Sequence, residues 1–132
     1  MSDKVNTKQR VIALYAMGEE ALDVRLRALG TYLGVEEEHI SDIMSLVHAL
    51  SQRGVARLRH SLFVDCLWIM ARVKNYEPKL THTKIMDATN TVLGMQIRPR
   101  AVWLKDNLDM VCFIYGCSRE DIPSLTRKGR TW

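Results

Sequence analysis

Residues 26–43 read LRALGTYLGVEEEHISDI, and the fold is decided there. Leu29 and Leu33 fall on one face of a helix. Gly34 follows at the helix exit, where the backbone needs a positive φ that glycine adopts without strain. Val35 plugs the corner, and Ile40 and Ile43 share a face of a second helix. Apolar residues before a turn glycine, one directly after it and two more further on make the spacing of a helix-turn-helix. The stretch predicts such a motif over about residues 19–52, inside an all-α fold: a compact bundle of about six to seven helices in a single domain over residues 1–132.

Periodicity places the other helices around it. Thr7 is expected to cap a first helix, carrying Val11, Leu14 and Tyr15 and ending at Gly18. The second helix starts near Glu19; its stripe of Leu22, Leu26, Leu29 and Leu33 is core packing. Glu36, Glu37 and Glu38 open the third, where carboxylates suit the positive end of the helix dipole. It runs through Ile40, Ile43, Leu46, Val47 and Leu50 to about Gln52. Next, SLFVDCLWIMARV (residues 61–73) is apolar nearly all round and reads as the central core helix. Asp65 inside it is expected on an exposed side, or paired with Arg72 or Arg59. Pro78 marks a loop, Thr81 or Thr83 caps a helix that Gly94 ends, and a last long helix runs from about Arg100 to Tyr115, with Gly116 beyond it. His82 is expected on the surface.

The 132 residues suffice for a sizeable core. No apolar run reaches membrane-spanning length and the polar start is not a signal peptide, so a cytoplasmic protein without a membrane partner is expected. Cys66, Cys112 and Cys117 lack the pairing of a zinc site and are read as reduced core cysteines. Glu36 and His39 have a spacing that permits a metal pair, but a solvated face is the stronger reading, so neither metal nor other cofactor is expected. No phosphate-binding glycine loop, zinc-protease motif or nucleophile–base arrangement is present, and an enzyme is not expected.

Charge is divided unevenly. Residues 1–52 carry five lysines and arginines against eight acids; residues 53–132 carry fourteen against seven. A basic half attracts a polyanion. Arg53, Arg57, Arg59 and His60 form the densest cluster, and Arg53, Arg57 and His60 share a face if the helix is continuous. Arg98 and Arg100 flank Pro99 on a stiffened loop suited to phosphate or to a partner's carboxylate. Arg119 and a basic tail over 126–132, with Arg127, Lys128 and Arg130, complete the DNA-binding candidates. The third helix, by contrast, shows Glu37, Glu38, Ser41 and Asp42 outward. Acids against phosphates repel, so this helix is expected to contact another protein chain or to pack internally rather than lie in a groove. Sliding the chain by 82 residues sets Leu29, Gly34, Val35 and Ile40 on Val111, Gly116, Cys117 and Ile122, an echo of the turn with outward residues friendlier to DNA.

RLRAL at Arg25–Leu29, the Val35, Ile40 and Ile43 spacing, SLF at Ser61–Phe63 with Trp68 soon after, and RAVW at Arg100–Trp103 together resemble the FlhC subunit family of FlhD–FlhC-type transcription activators. The resemblance spans about residues 9–115, with gaps. It implies a heteromeric activator that needs a second regulator subunit and contacts RNA polymerase. The zinc-binding cysteine cluster of that family is missing here, so no family site residue transfers, and a shortened relative carried by a mobile element would fit. The leading expectation is a DNA-binding transcription regulator working as a homo- or hetero-oligomer. The alternative is a small protein-binding module, a phage or mobile-element inhibitor or adaptor of a host protein. An RNA binder using Arg98, Arg100 and the tail is a third.

Overall fold

The computed structural model describes residues 3–17, 21–74, 76 and 79–117. Over these the chain is all-helical: α1 (Asp3–Met17), α2 (Leu22–Tyr32), α3 (Glu37–Gln52), α4 (His60–Lys74), α5 (His82–Leu93) and α6 (Ala101–Tyr115). No strand occurs among the described residues. The all-α bundle expected from periodicity is therefore the observed fold, and α4 is its centre. Every residue from Leu62 to Ala71 on α4 is buried, including Trp68 and Phe63, the two largest fully buried side chains. A helix that is apolar on every side can be covered only by neighbours on every side. α3 packs on α2, α4 and α6, while α1 lies against α2 and α5.

The opening stretch forms two helices, α2 and α3, joined across Gly34. Leu26, Leu29, Ile40 and Ile43 are buried in one core. Gly34 takes φ +84°, and its N–H donates to the Thr31 carbonyl while that of Val35 donates to Gly30. These two bonds use carbonyls that the end of α2 would otherwise leave orphaned. Gly30 matters differently: a Cβ there would lie 2.9 Å from Ile40 Cγ1. Its bare backbone is what lets α2 and α3 approach so closely.

Several boundaries differ from expectation. α1 begins at Asp3, so Thr7 lies inside it rather than capping it, and α2 begins at Leu22 rather than near Glu19. Gly94 and Gly116 end α5 and α6 in the left-handed conformation, and Thr81 rather than Thr83 caps α5, its hydroxyl accepting from Lys84 N. The 82-residue echo has a simple physical basis. Cys117 N donates to Cys112 O as Val35 N does to Gly30 O, yet Val55 N donates to Leu50 O beside Gly54 in the same way. The matched feature is thus a glycine helix ending the chain uses repeatedly. Residues 118–132, where the echo would continue, lie outside the described residues.

Candidate functional site

α4 organises the basic side of the molecule through residues three and four apart. Asp65, Trp68 and Arg72 project from one face of the helix. The sequence suggested an exposed Asp65, or one paired with Arg72 or Arg59; it is instead fully buried and pairs with neither. Its partner is Arg100, thirty-five residues further on. Arg100 N donates to Oδ1 at 2.9 Å, while its Nε and Nη2 donate to Oδ2 at 2.9 and 2.6 Å. Burial pushes the Asp65 carboxyl above its ordinary value; the Arg100 hydrogen bonds and charge pull it back, with Arg59 a further nearby cation.

This pairing corrects one expected site residue. Arg100, placed among the DNA contacts, has its charge met by Asp65 and its guanidinium against the Trp103 ring at 5.1 Å. It anchors rather than reaches outward. Its neighbour Arg98 is exposed. Two fixed points hold Arg98 in place: Arg100 on Asp65, and the Ile97 N–H on the hydroxyl of buried Thr89 at 2.9 Å. Thr89 Oγ1 itself donates to Met86 O, so this hydroxyl is used in both directions. Pro99, between the arginines, is buried.

Beyond Arg98, α4 and the start of α5 meet around Trp68. The Arg72 guanidinium lies over the Trp68 ring, 4.1 Å from its centroid, and the His82 ring meets it edge-on at 5.2 Å. Burial lowers the pKa of both Arg72 and His82, and the charges of Arg72 and Arg98 lower that of His82 further. His82 is therefore half-buried, not a surface residue, and neither it nor Arg72 stood among the sequence candidates. The signal available was the Asp65–Trp68–Arg72 spacing; that α5 begins beside its far end is a tertiary fact.

Arg53, Arg57 and His60 do not share a helical face, and Arg59 lies with the first two between α3 and α4. α3 stops at Gln52, Gly54 takes φ +74°, and α4 begins only at His60. The three arginines are exposed along the intervening bends, while His60 turns inward. Tyr15 donates its one hydroxyl proton to the Arg25 carbonyl, so the 3.0 Å contact between Tyr15 Oη and His60 Nε2 places the proton on that nitrogen. Arg119, Arg127, Lys128 and Arg130 lie outside the described residues.

The opposite character belongs to α3. Glu37, Glu38, Ser41 and Asp42 are all exposed. Asp42 and Ser45 edge an open groove of about 360 Å³ floored by Leu46 and Ala49 and closed by Ile114 and Tyr115 of α6. Donor atoms of Glu36, Glu38 and His39 come within 4.8 Å of one another on this side, an exposed grouping common without any metal. α6 adds apolar surface, with Val102, Met110 and Phe113 exposed, Phe113 by 76 %. Cys66 and Cys112 are buried and Cys117 is half-buried, none of the three in a disulfide. No helix among the described residues is long and apolar enough to cross a membrane. Comparison with protein-family models, curated proteins and solved structures gave no match.

Proposed function

We propose that this all-helical protein is a DNA-binding transcription regulator that grips the phosphate backbone with its basic side and offers the acidic side of α3 to a protein partner. One observation carries the reading: exposed or half-buried cations follow α4 and the loop over 94–100, while Asp65, the carboxylate within α4, is already engaged by Arg100. Such an arrangement leaves net positive charge facing outward, which is the electrostatic requirement for a polyanion. The α3 face does not fit that role. Three glutamates and an aspartate stand where a reading helix would need donors to phosphates and bases. The groove between α3 and α6, with Asp42 at its edge, and the apolar α6 residues favour a protein contact instead, which agrees with the heteromeric activator implied by the FlhC resemblance.

The test is fluorescence anisotropy of the protein with random-sequence duplex DNA over a salt series, beside an Arg53/Arg57/Arg59→Ala triple variant. Binding that weakens steeply with salt is expected. Each lost phosphate contact lowers the slope of log Kobs against log salt by about 0.9. No binding at low salt refutes the reading for the isolated chain and favours the protein-binding alternative, which a pull-down through the α3 face then addresses.

A further inference from the structure

We infer that Arg72, His82 and Arg98 form the seat for a single phosphate group, placed where the C-terminal half of α4, the start of α5 and the loop over 94–100 meet. This inference rests on the polyanion reading above and locates one contact within it.

Four observations converge on the seat. The Arg72 guanidinium lies over the Trp68 ring and His82 meets the same ring edge-on, so the two groups are placed relative to each other by one indole. Arg98 comes from a third element, near enough for its charge to lower the His82 pKa, and its backbone is held by the Thr89–Ile97 and Asp65–Arg100 attachments on either side of it. Arg72 Nε and His82 Nε2 are buried without a hydrogen-bond partner among the described residues, and no described carboxylate forms an ion pair with any of the three side chains. Lastly, His82 is the first residue of the twelve-residue helix α5, whose positive dipole end therefore lies at the same place.

Gathering three basic side chains and a helix start at one point is costly unless something negative compensates them. A phosphate oxyanion does so. It takes hydrogen bonds from the exposed Arg98 and the half-buried Arg72 at the mouth, and its negative charge is favourable beside the two guanidinium groups. The planar guanidinium fork suits two phosphate oxygens at once, which a lysine in either place would not reproduce. A backbone phosphate of DNA is the source that the surrounding basic surface favours. Free phosphate and phosphorylated small molecules share its chemistry.

Two arms test the seat and its source. In the first, the ring resonances of His82, assigned with His82→Gln, are followed by NMR while sodium phosphate replaces chloride at constant ionic strength. They are expected to move saturably, and to lose that response in Arg98→Gln and Arg72→Gln. Arg98→Gln removes no side-chain hydrogen bond or ion pair seen among the described residues and serves if Arg72→Gln, which loses the contact with Trp68, fails to fold. In the second arm, anisotropy with random duplex DNA is expected to show a salt slope reduced by about one in Arg98→Gln. If the His82 resonances ignore phosphate, the seat is overturned, whatever the DNA result, and salt-steep DNA binding would then preserve the regulator reading without it. Should His82 respond while duplex DNA fails to bind, the seat stands, its source is a free phosphate or phosphorylated small molecule, and the DNA reading falls. A response to phosphate with DNA binding whose slope Arg98→Gln leaves unchanged likewise keeps the seat and removes DNA as its source.

Discussion

Replacing Asp65 by Asn tests the central attachment of the fold. Asn keeps the shape and an oxygen for the Arg100 amide. It replaces Oδ2, which accepts from both Nε and Nη2, with an NH2 group that faces those donors. Removing one partner from a buried ion pair costs about 3–5 kcal/mol, because the other charge is left without compensation. Here Asp65 is fully buried but the Arg100 side chain is 32 % exposed, so water recovers part of the loss. The expected destabilisation is thus about 2–3 kcal/mol. For a chain of this size that corresponds to a fall in Tm of about 10 °C. Urea unfolding followed by far-UV circular dichroism measures it, with Arg100→Gln and the double variant closing a cycle. The double variant should be less destabilised than the sum of the singles by at least about 1 kcal/mol. Stability within about 0.5 kcal/mol of the parent, or simple additivity, would refute the placement of Asp65 against Arg100.

Four further outcomes are expected. Gly34→Ala should cost about 1 kcal/mol in urea unfolding, since its φ of +84° is unfavourable for alanine although nothing lies within 4 Å of the added Cβ; Gly30→Ala should be destabilising for the opposite reason, the 2.9 Å approach to Ile40 outweighing alanine's better helix propensity. Burial first, and the Arg25 charge second, hold the His60 pKa below its ordinary 6.5, so in the window between its folded value and 6.5 the unfolded chain binds more protons. Stability from this group is therefore complete above 6.5 and lost as pH falls through the folded value; urea midpoints between about pH 7.5 and 5 should drop less in His60→Gln, and an equal drop would count against it. Phe113→Asp, at a site 76 % exposed, should leave the urea midpoint nearly unchanged, within about 0.5 kcal/mol, and a large loss would mean that the ring is covered.

What could be read from the sequence was local. The stripes of α2 and α3, the all-round apolar α4 and the glycines that end α2, α5 and α6 each follow from the spacing within one element. The helix starts were harder. Thr7 looks like a cap, but α1 continues before it, and the acids at 19 and 20 look like a first turn, although α2 begins only at Leu22. Arg53, Arg57 and His60 have helical spacing across residues that are not helical, because Gly54 ends α3 between them. The candidate site was the least legible. Asp65 finds its partner thirty-five residues away, and Trp68, Arg72 and His82 meet only because α4 and the start of α5 pack together. No period in one segment carries that information. The sequence did present Arg98 correctly on a stiffened loop, and misjudged its neighbour Arg100 because a buried carboxylate cannot be told from an exposed one by spacing alone.

The loop over 94–100 makes helical hydrogen bonds at its ends, Gly94 N to Asn90 O and Leu104 N to Arg100 O, and two further amides, Ile97 and Arg100, donate to side chains rooted in α5 and α4. Opening it would strand the Asp65 carboxylate inside the most deeply buried helix. Separation of the loop is thereby linked to loss of the core, and the segment from α4 to α6 should open as one cooperative unit. Hydrogen exchange at those two amides would then be as slow as in the helices they join, giving an irregular stretch the lifetime of the bundle itself.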